Sequence, residues 1–308
     1  MSTVRINWTE LPPRDFTGGA VSIGNFDGVH RGHRELVTAT VSEARRVGGP
    51  AVVVTFDPPP LAVLHPPALK PPLSTPAERA ELLHAAGADR VAVLNTTAGL
   101  LALSPEAFFE DVVLGLFQAR AVVEGFNFRF GRARTGTNAT LRELCAEHHV
   151  RFVEAAPFEE GGEVVSSSRV RAALMAGDVA TAANLLARPY GIHGVVVEGA
   201  RRGRTIGFPT ANVGQVKTLV PKEGVYVVTV VTNGGRFIGA ANVGPNPTFG
   251  ERNQKIEVHL LDFSGDLYGR EMRVDFVRRI RDTRPFASVG ELVEQLHRDV
   301  AVTRASAG

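Results

Sequence analysis

The chain has 308 residues, of which 44% are hydrophobic and 21% are charged. These proportions are typical of soluble globular proteins, and they exclude a disordered chain, a collagen-like chain and a disulfide scaffold. Since a domain usually has about 150 residues, the length predicts two domains, each large enough to bury its own core.

The formal charges nearly cancel, with 34 basic residues, 32 acidic residues and a net charge of +2. Such a balance does not demand a nucleic acid partner, and we expect none. Cys145 is the one cysteine, so it has no partner for an intramolecular disulfide. The first residues lack the apolar core of a signal peptide, and no apolar run is long enough to span a membrane. We expect a cytoplasmic protein without membrane contact that is a monomer or a transient homo-oligomer.

The first half alternates short β-branched runs with helical patterns. The predicted strands are residues 20–23, 51–56, 90–94, 121–124 and 151–154. The helical patterns between them are residues 34–46, 75–86, 104–116 and 140–148, and two further helices, 168–176 and 179–186, close this half. The alternation predicts βαβ units and a Rossmann-like parallel sheet that binds ligands at the carboxyl ends of its strands.

The second half has a different pattern. Strand-like runs separated by Gly, Pro and Asn turns occupy residues 195–198, 224–231, 237–243, 256–262 and 271–277, and one helical pattern follows at 289–300. Regularly spaced strands with one closing helix predict a small antiparallel β-barrel. We therefore predict an α/β protein with domains at residues 1–186 and 187–308.

The densest chemical signal is GNFDGVHRGH, from Gly24 to His33, between the first predicted strand and the first helix. His30 and His33 can both reach the N-terminus of that helix, where backbone N–H groups and the helix dipole favour a phosphate. Gly32 carries no side chain that would hold a nucleotide away from the backbone. Imidazoles in that place can donate hydrogen bonds to charge that grows on a phosphate during transfer. The alternative is a glycine-rich turn with two surface histidines.

A second signal is VSSSRVR, from Val165 to Arg171, where a helical pattern begins. The hydroxyls of Ser167 and Ser168 and the guanidinium of Arg171 suit the β- and γ-phosphates of a nucleotide. The alternative is an ordinary serine N-cap with exposed arginines.

A third signal is GRTIGFPTAN, from Gly203 to Asn212, in the second half. Its glycines, Gly203 and Gly207, can let the backbone wrap a diphosphate. The Thr210 hydroxyl and the Asn212 amide oxygen are hard ligands that suit Mg²⁺. No Walker A sequence occurs, so a P-loop kinase is excluded. The alternative is a hairpin turn.

Glu257 lies in a strand-like run in which Ile256 and Val258 share the opposite face. A carboxylate just inside a strand, near a nucleotide loop, can accept the proton of an attacking hydroxyl. The alternative is an exposed glutamate on the wet face of a strand.

The N-terminal motifs resemble those of a known family. GNFDGVHRGH resembles the signature of the HxGH nucleotidylyltransferases in its flavin-nucleotide form, a family that transfers AMP from ATP and releases pyrophosphate. VSSSRVR is similar to the family motif ISSTxIR. The resemblance implies that the two histidines stabilise the α-phosphate and that Ser167, Ser168 and Arg171 hold the leaving pyrophosphate. It places further nucleotide contacts at Gly24, Asn25, Phe26, Asp27, Gly32 and Asn127.

Two more segments carry the same resemblance. GFNFRFG, at residues 125–131, is similar to the family's G-x-D/N-F-x-F-G segment, which contributes to ATP and flavin binding. FDPPP, at residues 56–60, is similar to FDPHP, with Pro59 in place of the histidine. The implied flavin contacts are Phe128 and Asp57.

GRTIGFPTAN resembles the diagnostic motif of the riboflavin kinases. From about residue 21 to residue 300 the chain resembles the bacterial bifunctional riboflavin kinase/FAD synthetases, so the expected substrates and products are riboflavin, FMN, FAD and ATP, with Mg²⁺. The resemblance implies that Glu257 is the catalytic base of the kinase and that Thr210 and Asn212 hold the metal. It places nucleotide contacts at Gly203, Gly207 and Pro209 and flavin contacts at Asn242 and Arg281.

Two departures from the family motifs keep other functions open. Thr283 stands where the relatives' R-x-E-x-x-F has a glutamate, and Pro59 replaces a histidine. The alternatives are an enzyme with only one working site and a flavin- or RNA-binding module whose sites have decayed.

Overall fold

The computed structural model describes residues 2–66, 70–199, 202–245 and 255–306. The chain separates into two compact units. The N-terminal unit comprises Met1–Lys70 and Ser74–Ser166, and the C-terminal unit comprises Pro71–Leu73 and Ser167–Gly308. Helices α7 (Ser167–Ala176) and α8 (Val179–Leu186) therefore belong to the C-terminal unit. The boundary expected between residues 186 and 187 stays a prediction.

The N-terminal unit is built on a parallel six-stranded sheet with the order β1-β4-β3-β2-β5-β6. Its strands are β1 (Ser2–Ile6), β2 (Ala20–Ile23), β3 (Ala51–Asp57), β4 (Arg90–Asn95), β5 (Ala121–Gly125) and β6 (Arg151–Ala155). The chain builds outward from β2 in one direction through β3 and β4, and in the other through β5 and β6. The order therefore reverses between β2 and β5, which is where open α/β sheets bind their ligands.

Helices lie between these strands: α1 (Arg31–Val47), α2 (Pro60–Leu64), α3 (Pro76–Ala85), α4 (Ala98–Ala102), α5 (Pro105–Phe108) and α6 (Asn138–Glu147). A π-helical stretch, Phe109–Leu116, continues α5, and a short hairpin of β7 (Glu159–Glu160) and β8 (Glu163–Val164) follows β6. α3 begins as predicted, with the capping box of Thr75 and Glu78 and a proline in its first turn.

Two apolar clusters form much of the interior of this unit. Val21 and Val54 belong to one with the π-helical residues, whereas Val53 and Val91 belong to another with Val37 of α1. Alternate strand residues thus enter different clusters, as expected when helices cover both faces of a parallel sheet. Cys145 is 1% exposed, and burial raises the pKa of its thiol to about 12, so it is unreactive at neutral pH.

The C-terminal unit is a closed antiparallel barrel with the order β10-β13-β12-β11-β14-β9. Its strands are β9 (Tyr190–Val197), β10 (Ala211–Gly214), β11 (Gly224–Thr232), β12 (Gly235–Gly244), β13 (Lys255–Leu260) and β14 (Glu271–Arg281), with α9 (Arg202–Thr205) in the β9–β10 loop. Alternate residues fill the barrel, as the buried Ile256, Val258 and Leu260 of β13 illustrate.

Helix α10 (Val289–Ala305) closes the C-terminal unit, and a buried ion pair ties it to the barrel. The Arg281 guanidinium lies 2.7 Å from Asp299, whose side chain is only 3% exposed. The predicted fold class, a parallel-sheet domain followed by an antiparallel barrel with a C-terminal helix, is confirmed. Four strands, β1, β7, β8 and β10, were not expected from the sequence.

Candidate active sites

The two predicted histidines form one stacked pair at the start of α1. His30 is the N-cap of this helix, and its Nδ1 accepts a hydrogen bond from the His33 backbone N–H at 3.3 Å. The two imidazole rings are nearly parallel, with 3.6 Å between their centroids. Because His30 Nδ1 is an acceptor, the neutral ring carries its proton on Nε2, which is therefore a donor.

His33 is held in its neutral form. Burial lowers its pKa well below the ordinary value of 6.5, and His30 and the Arg79 guanidinium lower it further. Its Nδ1 is buried and has no hydrogen-bond partner among the described residues. His33 therefore adds hydrogen-bonding capacity to the start of a helix without adding a fixed charge.

Glycines make room for this pair. A Cβ at Gly32 would lie 3.3 Å from both Cε1 and Nδ1 of His30 and 3.6 Å from the Val165 carbonyl oxygen. Because Gly32 has no side chain, the His30 ring and the Val165 carbonyl can both lie close to the first turn of α1. A Cβ at Gly24 would lie 3.2 Å from the ring of Phe26, which is itself 1% exposed.

The loop that carries the histidines is fixed from beneath by Arg79, which the sequence analysis missed. Arg79 is 2% exposed, and its guanidinium donates to Thr55 Oγ1 at 3.1 Å and to the Phe56 carbonyl at 3.2 Å. Its distance to the Asp27 carboxylate is 3.9 Å. Asp27 also accepts a bond from the Ser74 backbone N–H at 3.2 Å. In this arrangement Asp27 holds the loop, and its direct contact with a nucleotide stays a prediction.

The other predicted residues of this unit follow neighbouring strands at the same edge of the sheet. Asn25 and Asn127 are exposed, and Phe128 stacks on Phe130 with 5.5 Å between ring centroids. Asp57, the last residue of β3, forms an ion pair with Arg5 of β1. The sheet thus places the loops after β2, β3 and β5 at one edge, as the predicted site requires.

Ser167, Ser168 and Arg171 belong to the C-terminal unit, in the first turns of α7. Two hydroxyls at the start of a ten-residue helix suit an anion. Arg171 donates to the Pro71 carbonyl, which is part of the same unit.

The barrel register brings three predicted residues side by side. Glu257 of β13 is paired with Asn212 of β10 on one side and with Asn242 of β12 on the other. Residues directly opposite in antiparallel strands point to the same face of the sheet. Since Ile256 and Val258 fill the barrel, Glu257 and the two asparagines share its outer face.

The loop before β10 is closely packed around this row. A Cβ at Gly199 would lie 2.2 Å from Nδ2 of Asn212, and one at Gly203 would lie 2.2 Å from the Phe208 carbonyl and 3.5 Å from Thr210 Oγ1. Gly207 has a φ of +86°, a conformation that glycine adopts without strain.

The end of this loop is tied to the barrel. His259, two residues beyond Glu257, donates from Nδ1 to the Pro209 carbonyl at 2.8 Å. A cavity of about 620 Å³ lies beside the loop, and its lining includes Arg204, Thr210, Asp266 and Tyr268. It is large enough for a nucleotide-sized ligand.

Asn242 and Arg281 have partners within the C-terminal unit. Thr283 Oγ1 lies 3.4 Å from Asn242 Oδ1, so the residue at the family's glutamate position donates to this amide. The Arg281 guanidinium bonds both Asp299 carboxylate oxygens and the Asp282 carbonyl. Residues 246–249, a few positions after Asn242 in sequence, lie outside the described residues.

Two family models match the chain. Residues 13–169 match the family model for FAD synthetase, and residues 186–307 match that for riboflavin kinase. A bifunctional riboflavin kinase/FMN adenylyltransferase from Escherichia coli strain K12 is 38% identical over 93% of this chain and 92% of its own length. The chain belongs to the bifunctional riboflavin kinase/FMN adenylyltransferase family. It is an enzyme with an FAD synthetase domain followed by a riboflavin kinase domain, which confirms the prediction.

Two further proteins are similar to this chain over most of its length. The Bacillus subtilis strain 168 protein of the same description is 37% identical over 91% of this chain and 89% of its own length. A solved structure from Streptococcus pneumoniae, described as a macrolide-efflux protein, is 34% identical, covers 98% of both chains and superposes with a TM-score of 0.88.

In the described part of this chain, no helix is long and apolar enough to cross a membrane.

Proposed function

We propose that the two clusters are the two active centres of flavin cofactor synthesis. The barrel centre phosphorylates riboflavin with ATP to give FMN and ADP. The centre at the start of α1 joins AMP from ATP to the FMN phosphate to give FAD and pyrophosphate. The observation that carries the proposal is the location of the clusters. The Glu257 row lies in the segment that matches riboflavin kinase, and the histidine pair lies in the segment that matches FAD synthetase.

In the kinase reaction, Glu257 accepts the proton of the riboflavin 5′-hydroxyl as its oxygen attacks the γ-phosphorus of ATP. A new oxygen–phosphorus bond forms, the bond to the β-phosphate oxygen breaks, and ADP leaves. The Glu257 carboxylate is half-buried, and in the strand register it stands between two neutral amide side chains, Asn212 and Asn242. Gly203, Gly207 and Pro209 shape the loop against which the ATP phosphates bind.

Thr210 and Asn212 are the proposed protein ligands of Mg²⁺. Both offer neutral oxygens, and the Asn212 amide packs on a glycine backbone that leaves no room for another side chain. Such a donor pair fits Mg²⁺, which commonly takes one or two protein oxygens and completes its shell with phosphates and water. When bound, the ion neutralises charge on the β- and γ-phosphates.

In the adenylyl transfer, an FMN phosphate oxygen attacks the α-phosphorus of ATP and pyrophosphate leaves. His30 donates from Nε2 and the neutral His33 adds a second hydrogen bond to the α-phosphate oxygens as their charge grows. That Ser167, Ser168 and Arg171 bind the departing β- and γ-phosphates stays a prediction from the sequence motif. Arg171 has five N–H donors, so it can keep its bond to the Pro71 carbonyl while it binds a phosphate.

The remaining predicted residues bind flavin or the nucleotide. Asp57 and Phe128 would contact FMN, while Asn25 and Asn127 are exposed at the same sheet edge and would contact ATP. In the barrel, Asn242 is oriented by Thr283 for riboflavin. Direct contact of flavin with Arg281 stays a prediction, and we place its main contribution in holding α10 through Asp299.

The test is a chromatographic time course of riboflavin, FMN and FAD with purified protein, ATP and Mg²⁺. The wild type is expected to form FMN and then convert it to FAD. Glu257→Gln should slow FMN formation by about 10²- to 10⁴-fold and still adenylylate added FMN. His30→Ala/His33→Ala should stall at FMN, with FAD formation slowed by at least about 10²-fold. Glu271→Gln, on an exposed strand position, and His65→Ala, at an exposed helix end, are the matched controls.

The same assay decides between the alternatives. FMN without FAD, or FAD only from added FMN, means that one site works and the other has decayed. Neither product in the wild type contradicts the two-site enzyme and favours a binding module. A cytoplasmic location and a monomer or transient homo-oligomer without nucleic acid remain part of the proposal, supported by the single unpaired cysteine and the balanced charge.

A further inference from the structure

The gap between β2 and β5 contains a buried carboxyl group that the mechanism above does not use. The ladder between these strands includes only Ala20 with Ala121 and Val21 with Val122. Beyond these pairs the strands part, at the point where the strand order reverses. The gap therefore opens directly below the loops that begin at Gly24 and Gly125.

The backbone N–H of Ile23 faces this gap. Gly24 donates its N–H to the Val54 carbonyl of β3 at 2.9 Å, and successive N–H groups of a strand point to opposite sides. The Ile23 N–H therefore points towards β5, where the ladder has already ended. Its partner is the side chain of Glu124, whose Oε1 accepts the bond at 2.6 Å.

Glu124 is 1% exposed and lies on the same sheet face as Val21, Ile23 and Val122, which are core residues. Burial raises the pKa of its carboxyl group well above the ordinary value of 4.5, and the bond from Ile23 opposes this rise only in part. The group is therefore a neutral carboxylic acid over a wider pH range than an exposed glutamate. An aliphatic residue would fill an apolar position without the cost of burying a polar group.

We propose that Glu124 is a positioning residue of the FAD synthetase reaction, which holds the start of the histidine loop by bonding Ile23 across the gap between β5 and β2. The bond fixes the residue directly before Gly24, so it sets where the chain leaves the sheet. The loop then reaches α1 within seven residues, and its path determines where His30 and His33 meet the α-phosphate. This inference rests on the proposed function of the histidine pair.

A conservative variant separates this role from simple packing. Glu124→Gln keeps the shape and the carbonyl-type acceptor, whereas Glu124→Met keeps the volume and loses the acceptor. Glu154→Gln is the matched control, because Glu154 is the partner of Glu124 in the ladder with β6 but pairs at the surface with Arg142. FMN formation from riboflavin, in the other unit, is an internal control for each protein.

The expected result is a loss confined to one reaction. Glu124→Met should lower kcat for FAD formation from FMN by about 10- to 100-fold, with the KM for ATP changed by less than about threefold, because the misplaced groups act in the transition state. Glu124→Gln should stay within about threefold of the wild type in kcat. The fluorescence of Trp8, which packs on the core of the same unit, checks that each variant is folded.

Equal activity of Glu124→Met, Glu124→Gln and the wild type overturns the inference. So does a Glu124→Gln loss as large as that of Glu124→Met, since the retained acceptor would then have no effect. If Glu124→Met does not fold, Glu124→Leu, which also removes the acceptor, takes its place, and equal kcat for Glu124→Leu and Glu124→Gln overturns the inference. A wild-type protein that forms no FAD contradicts the proposed function itself, and is thereby distinguished from failure of the Glu124 inference.

Discussion

Replacing Arg79 with methionine should unfold the N-terminal unit more easily and impair FAD synthesis. The variant keeps most of the side-chain volume and removes the donors that bond Thr55 Oγ1 at 3.1 Å, the Phe56 carbonyl at 3.2 Å and the Ser74 carbonyl at 3.5 Å. It also removes the positive charge 3.9 Å from Asp27. The loop that carries the histidines thereby loses its buried support.

The magnitude follows from these contacts. Breaking a buried ion pair by removing one partner costs about 3–5 kcal/mol, and hydrogen bonds from a charged donor contribute about 1.5–3 kcal/mol each. Two effects reduce the sum. In the wild type the Arg79 charge is buried at a cost, as the lowered pKa of Arg79 indicates, and methionine removes this cost. Asp27 also keeps the hydrogen bond from the Ser74 N–H. We expect a loss of about 3 kcal/mol in the free energy of unfolding, or about 6–12 °C in Tm for a unit of this size.

The assay is urea unfolding followed by tryptophan fluorescence. Trp8 is the one tryptophan, and it packs on the N-terminal core, so the signal reports this unit alone. Arg142→Met is the matched control, because it removes a surface pair with Glu154 that contributes at most about 1 kcal/mol. Arg79→Met/Asp27→Asn should recover part of the loss, since it removes the uncompensated carboxylate. A midpoint equal to that of Arg142→Met, or a fall in FMN formation equal to the fall in FAD formation, would show that Arg79 does not support the histidine loop.

Four further outcomes are expected. Gly32→Ala places a methyl group against the His30 ring, so it should slow FAD formation by about tenfold or more and leave FMN formation unchanged. Gly99→Ala, whose methyl group would lie 3.6 Å from the nearest atom, should change neither rate. Gly199→Ala displaces the Asn212 amide, so it should abolish most FMN formation while added FMN is still adenylylated. Gly234→Ala is the control, and equal rates of FMN formation for these two variants would show that Asn212 has no part in the kinase reaction. Asp299→Ala leaves the Arg281 charge without its buried partner and should destabilise the C-terminal unit by about 3 kcal/mol. Circular dichroism should show a lower thermal midpoint for this variant, but not for Glu294→Ala, which removes only a surface pair. Glu124→Gln should have the same free energy of unfolding as the wild type below pH 4.5 and a higher one as the pH rises, because Glu124 of the wild type loses its proton at a lower pH in the unfolded chain than in the folded protein. The measurement is urea unfolding followed by Trp8 fluorescence, and a difference independent of pH would contradict the raised pKa.

The sequence predicts the parts of this structure that depend on local pattern. The β–α alternation, the capping box at Thr75 and the histidine segment before α1 are each encoded within a few adjacent residues. β1 was missed because its half-buried and exposed residues alternate over only five positions, and its partner, β4, follows some eighty residues later. β10 was missed because its residues were assigned to a nucleotide loop.

Contacts between residues far apart in the sequence could not be predicted from local sequence patterns. The placement of Glu257 between Asn212 and Asn242 depends on the register of three strands, which loop lengths and closure of the barrel set together. Arg79 appears in sequence as an ordinary residue of an amphipathic helix, and Glu124 as the last residue of a strand. Only the fold brings the first beneath the histidine loop and the second opposite Ile23.

If both centres work as proposed, one chain uses two different phosphorus atoms of ATP in two separate centres. The most direct measurement follows label from ATP into chromatographically separated flavins during turnover of riboflavin by the wild-type protein. Label in the γ-phosphate should appear first in FMN and then in FAD, whereas label in the α-phosphate should appear in FAD and never in FMN. Label from the α-phosphate in FMN, or FAD without label from the α-phosphate, would show that the two centres do not catalyse the proposed reactions.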